Sequence, residues 1–91
     1  MRPIETTKAL LCNLIVRNGD PMSCEMTFHN IDYKKAIMLA KTAQEAFRDI
    51  QIIASETGQV LFNQYWDADV FVETSTLGNV VAKLDHMYRF A

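Results

Sequence analysis

Residues 10–28 read LLCNLIVRNGDPMSCEMTF, and how this stretch folds decides the rest of the chain. Leu10, Cys12, Leu14 and Val16 alternate with Leu11, Asn13, Ile15 and Arg17, the period of two that sends successive side chains to opposite faces of a strand. Both sets carry apolar residues, so such a strand is buried on one face and partly covered on the other. A helix competes for residues 8–17, because Thr6 or Thr7 can cap a short helix that closes at Gly19. The residues after Arg17 favour the strand. Asn18-Gly19 is a hairpin signal, since both residues accept the positive φ that a tight turn demands. Beyond it, Met22, Cys24, Met26 and Phe28 alternate with Ser23, Glu25 and Thr27 as a second strand.

Downstream, Asn30 or Asp32 can accept hydrogen bonds from the free amides of a helix start, and no Gly or Pro interrupts the chain before Ile50. Tyr33, Ala36, Ile37, Ala40, Ala43, Phe47 and Ile50 share one face at the three-and-four spacing of a helix that covers a sheet. Residues 51–54 are rich in strand formers, 55–58 carry turn chemistry, and 59–66 resume a strand with Val60, Leu61, Phe62 and Tyr65. Residues 70–73 suit a short edge strand. Thr74, Ser75 and Thr76 are three candidate caps for a closing helix, on which Leu77, Val80, Val81, Leu84, Met87 and Tyr88 form the apolar face. Asn79, Lys83, His86 and Arg89 then face solvent, and Gly78 weakens the first turn. The expected fold is α+β and two-layered: an antiparallel sheet of about four strands with two helices on one face, in the order ββαββα.

Ninety-one residues fit one domain, 1–91, large enough to fold without disulfides or metals. The chain is 49% hydrophobic and 22% charged with three Gly and two Pro, which excludes disordered and fibrous classes. No apolar run approaches the roughly 18–20 residues of a membrane span. The amino-terminal residues lack the pattern of a secretory signal, so a cytoplasmic location is expected. Cys12 and Cys24 are too few for a disulfide framework and read as packed thiols, which on adjoining strands could face one another. The net charge of −2 leaves any electrostatic recognition to local patches.

Catalytic chemistry finds little foothold. Gly19, Gly58 and Gly78 are isolated and cannot cradle a phosphate. Cys12, Cys24, His29 and His86 lack the paired spacing of a zinc site. Both cysteines sit in apolar alternation, where burial raises a thiol pKa and keeps substrates out, so pairing one with a histidine base is disfavoured. Asp67 and Asp69 could hold a divalent metal beside a phosphate, but carboxylates at that spacing more commonly end strands. The expectation is a protein with no catalytic residues, no metal and no cofactor. A small enzyme using His29 or Asp67 and Asp69 stands as an alternative.

Two surfaces remain as partner sites. Lys34, Lys41 and Arg48 recur every seven residues and fall on a narrow stripe away from the apolar face of the first helix, with Lys35 at its margin. Glu45 and Asp49 lie beside the stripe and can pair with its cations. Tyr65 and Trp66 are consecutive, so in a strand one of them points away from the core. Beside Asp67 and Asp69 that pair makes an aromatic anchor with an acidic rim. These patches fit a binding or inhibitory module acting on a larger protein or nucleoprotein complex, touching RNA or DNA backbone through the stripe. Self-assembly is the competing binding reading: a homodimer formed through a sheet edge or the last helix.

In size and layout the chain resembles small phage-encoded inhibitors, anti-CRISPR proteins among them, which are short one-domain α+β chains. The resemblance implies occlusion of an effector subunit, its guide RNA or the channel that receives target DNA. A net charge of −2 is less acidic than DNA mimics of that kind, which turns the expectation toward direct steric contact with a subunit.

Overall fold

A computed structural model describes residues 10–18, 23–65 and 74–90. The elements run β1 Leu11–Asn18, β2 Cys24–Asp32, α1 Tyr33–Ala43, β3 Asp49–Ala54, β4 Val60–Tyr65 and α2 Thr74–Phe90, in the expected order ββαββα. The four strands form one antiparallel sheet ordered β2-β1-β3-β4. Asn18-Gly19, Trp66, Asp67, Asp69 and the strand expected over 70–73 fall wholly or partly outside the described residues; of these only Asn18 is within them.

β1 is the strand the alternation calls for, and it is central. Cys12, Leu14 and Val16 are buried against the helices, whereas Asn13 and Ile15 on the other face are half-buried. β1 hydrogen-bonds on both sides, to β2 and to β3, which is the tertiary reason the helical alternative for residues 8–17 loses. In β2, Phe28 joins the core in phase with Met26 and Cys24, and the phase then shifts so that Ile31 is buried as well. The cause is a bulge: the register with β1 is irregular between Cys12 and Leu14, and Asn30 takes φ 54°. Asparagine tolerates that left-handed backbone better than most residues. The Asn30 N–H donates to the side-chain oxygen of Asn13 at 3.0 Å, and that same oxygen accepts from the Ser55 hydroxyl at 3.2 Å.

Asp32 is the helix cap, its carboxylate accepting from the Lys35 N–H at 2.8 Å. α1 buries Ala36, Leu39, Ala40 and Ala43, and its three alanines let the helix approach the sheet closely. The helix is shorter than the spacing suggests. Phe47 and Ile50 are buried but do not belong to it: the chain turns at residues 44–46, and Ile50 enters β3 with Ile52 and Ala54 facing the core. Three-and-four spacing and two-residue spacing both bury Ile50, and cross-strand pairing with Val16 on β1 and Gln64 on β4 selects the strand. The β3–β4 turn closes on Gly58, whose φ of 75° suits glycine and whose N–H donates to the Ala54 carbonyl at 2.9 Å.

α2 completes the second layer. Val80 and Leu84 are fully buried in the core shared by α1 and the sheet, with Leu77, Val81 and Met87 packed at its margin. Tyr88 lies against Phe28 of β2, ring centroids 5.1 Å apart. Asn79, Lys83, His86 and Arg89 are exposed, as expected. Among the described residues, no helix is long and apolar enough to cross a membrane.

Candidate functional site

The outer face of α1 carries Lys34, Met38 and Lys41 at positions i, i+4 and i+7, one above the other on the helix surface. All three are exposed, Met38 to 49%. Among the described residues neither lysine has an ion-pair partner. The acids beside the row are engaged elsewhere: Asp49 pairs with Arg17 at 2.7 Å, and Glu45 lies 4.0 Å from Lys83 of α2. The expectation that Asp49 can pair with the cations of the row is corrected by β3 pairing, which carries Asp49 onto the sheet opposite Arg17.

Arg48 leaves the row. It lies in the connection between α1 and β3, where its N–H donates to Asn18, and its own interactions keep it from being a free cation. Lys35 is drawn inward. Its ammonium donates to the Tyr88 carbonyl at 2.8 Å and sits 5.7 Å from the centre of the Tyr88 ring. A cation on a carbonyl in the last turn of α2 suits the negative end of that helix, so Lys35 ties the two helices together.

Beside the row, Asp32, Lys34, Lys35, Met38, Leu39 and Met87 line a groove of about 190 Å³ between α1 and α2. That volume is below the roughly 300 Å³ at which small-molecule sites begin, and it suits one or two inserted side chains. Its floor is thioether and leucine, and its rim carries Lys34 and Lys35 with Asp32 beside them. Met87 is held in place by the Thr42 hydroxyl, 3.4 Å from its sulfur. Methionine adapts its shape to what it meets, a property of surfaces that accept partners. Met38 and Met87 are the part of this surface that charge counting misses; the signal for Met38 is its place in the spacing of residues 34, 38 and 41.

A second hollow, of about 370 Å³, lies at the end of the sheet among Leu10, Leu11, Ala54, Glu56, Thr57, Gln59 and Leu61. Among the described residues its lining contains a single ionisable side chain, Glu56, and no acid–base pair. The cysteines do not meet. Cys12 pairs with Ile31 and Cys24 with Asn18, placing them at opposite ends of the β1–β2 ladder and correcting the expectation that they could face one another. Cys12 faces the helices, and burial pushes its thiol pKa up, with the Asp32 carboxylate adding to the rise. His29 is exposed on β2, and His86 is exposed on α2 with its ring 5.0 Å from Phe90. Among the described residues, no three His, Cys, Asp or Glu side chains are grouped to hold a metal ion.

Of the aromatic and acidic patch, only the Tyr65 backbone is described, paired opposite Asp49; Trp66, Asp67 and Asp69 lie outside the described residues. No protein-family model matches the chain, and neither a curated protein nor a solved structure is significantly similar to it. The architecture defines the class, a two-layer α+β domain with one open antiparallel sheet.

Proposed function

We propose that the chain is a non-catalytic binding protein that occludes a surface of a larger protein or nucleoprotein complex, and that the outer face of α1 is its contact. The observation that carries this reading is the row Lys34–Met38–Lys41 beside the α1–α2 groove. Two cations without ion-pair partners among the described residues flank an exposed methionine, and the adjoining groove admits a side chain. The matching surface is an anionic one that offers an apolar side chain. An acidic protein segment has both; a bare phosphate backbone has only the charge, and binding through it is uniformly salt-dependent. An anti-CRISPR-like inhibitor acting on an effector subunit is the specific form of the proposal.

The test is capture of the partner from a native-source lysate by tagged chain, with and without nuclease. Wild type is compared with Lys34→Glu/Lys41→Glu and with Met38→Ala, each checked for an unchanged circular dichroism spectrum. The expected result is a stoichiometric protein retained after nuclease and lost in both variants. Capture untouched by either variant removes α1 as the contact. Loss on nuclease treatment alone moves the contact to nucleic acid.

A further inference from the structure

Among the described residues, β2 and β4 are the two edges of the sheet, and they are not equivalent. β4 is six residues long, and its pairing shifts register opposite Ile52 and Ile53. β2 is nine residues long and pairs regularly from Cys24 to Phe28 before its bulge. Glu25, Thr27 and His29 are all exposed, and among the described residues no strand pairs with the outer side of β2.

The hydrogen-bonding phase of that free edge derives from β1. The Ser55 N–H donates to the Leu11 carbonyl at 2.9 Å, and the Tyr33 N–H to the Leu10 carbonyl at 3.1 Å. In an antiparallel ladder, residues whose backbone groups face one neighbour alternate with those facing the other. Odd-numbered β1 residues therefore serve β3, while Leu14, Val16 and Asn18 serve their β2 partners Phe28, Met26 and Cys24. Glu25, Thr27 and His29 turn their N–H and C=O groups outward.

We propose that β2 pairs antiparallel with β2 of a second copy about a two-fold axis at Thr27, forming a homodimer with one continuous sheet. This register places Thr27 against Thr27 and, twice by symmetry, Glu25 against His29 of the other copy. It uses all three of Glu25, Thr27 and His29 and makes about six hydrogen bonds between copies, two for each hydrogen-bonded pair. A slip of two residues sets Glu25 against Thr27 and loses one pair. The side-chain complementarity is open for use: Arg17, opposite Glu25 on β1, is held by Asp49 at 2.7 Å, and neither Glu25 nor His29 has a partner among the described residues. Opposite charges across strands support pairing, and histidine offers an N–H to a carboxylate even when neutral.

A separate observation points to the same edge. The two-fold axis of such a dimer is perpendicular to the sheet, so both helical layers lie on one side and adjoin along β2. Tyr88 is packed on Phe28, which brings the last turn of α2 to that margin. There Tyr88 is 39% and Phe90 75% exposed. Dimerisation brings these apolar side chains up to their counterparts.

The test is mass against concentration by sedimentation equilibrium, up to about 1 mM, the weak end of specific association. Thr27→Pro removes an outward N–H that β1 does not use, so the monomer keeps its ladder while the dimer loses its centre. Glu25→Lys sets a cation against His29, and adding His29→Glu restores the complement with the signs exchanged. The expected pattern is a two-chain mass for wild type, a one-chain mass for Thr27→Pro, at least tenfold weaker association for Glu25→Lys, and recovery in Glu25→Lys/His29→Glu. If Thr27→Pro fails to fold, the charge-exchange pair decides. A one-chain mass at every concentration overturns the proposal, as does a dimer indifferent to these changes. Neither result touches the α1 contact, which is read by partner capture.

Discussion

The side-chain oxygen of Asn18 accepts the N–H of Arg48 at 2.9 Å, fastening the end of β1 to the start of β3. The same side chain donates through Nδ2 to the Ala46 carbonyl, so one amide bonds two backbone groups of the connection leaving α1. This clamp explains why the chain turns there without a glycine or proline. Asn18→Ala strips both bonds and leaves part-buried backbone groups to find water. The expected loss is about 2 kcal/mol, on the basis of roughly 1 kcal/mol for each bond. Urea unfolding measures it, with Asn63→Ala on the exposed face of β4 as a control within about 0.5 kcal/mol of wild type. Equal losses in the two variants would show that the clamp contributes nothing.

Asn30 holds φ 54° in the bulge that brings Ile31 into the core. Its bond to Asn13 comes from the backbone N–H, so substitution keeps the bond and changes only the cost of the conformation. Asn30→Gly is expected to leave stability within about 0.5 kcal/mol, and Asn30→Val to cost about 1–2 kcal/mol for forcing a branched side chain into the left-handed region. The pair of melting curves is diagnostic, and a valine variant as stable as the glycine one would mean that the bulge relaxes at no cost.

Leu84 is fully buried and, with Val80, anchors α2 to the core. Leu84→Ala is expected to cost about 2–5 kcal/mol, a large part of the roughly 5–15 kcal/mol that a domain commonly has. Because α2 meets the rest of the molecule through few fully buried side chains, the loss should be local. Amide exchange across residues 80–90 should accelerate more than exchange in β1. Uniform acceleration over both segments would instead show α2 and the sheet unfolding as one unit.

Much of this architecture is legible in the sequence because hydrophobic period and sheet order agree. β1 and α2 form where their periods place them, whereas β2 changes phase at Asn30 and β4, with three consecutive apolar residues, is placed by its pairing with β3. The errors come from residues whose burial fits two periods. Phe47 and Ile50 continue the helical spacing of α1, yet pairing with β1 takes Ile50 into β3, a long-range choice invisible in a local window. The same blindness affects the site. Helical spacing finds Lys34 and Lys41, whereas the Lys35–Tyr88 and Asn18–Arg48 contacts span 53 and 30 residues and arise only in the packed fold. Arg48 departs from the helical stripe for the same reason as Ile50.

Cys12 links the core to solution pH. Its thiol is buried and donates to the Leu10 carbonyl at 3.8 Å, and burial with the nearby Asp32 charge raises its pKa above the ordinary thiol value. The unfolded chain releases that proton near pH ~8.5, while the folded chain retains it to higher pH. Between the two values the unfolded state binds fewer protons, so stability falls as pH rises there and is fully present below. Urea midpoints at about pH 7.5 and about pH 10 should therefore drop further for wild type than for Cys12→Ala, whose small cavity lowers both midpoints alike. Thiol labelling of the folded chain supplies the accompanying check: half-buried Cys24 should react first and Cys12 only on unfolding. Parallel pH dependence in the two proteins, or early labelling of Cys12, would place the thiol in water rather than in the core.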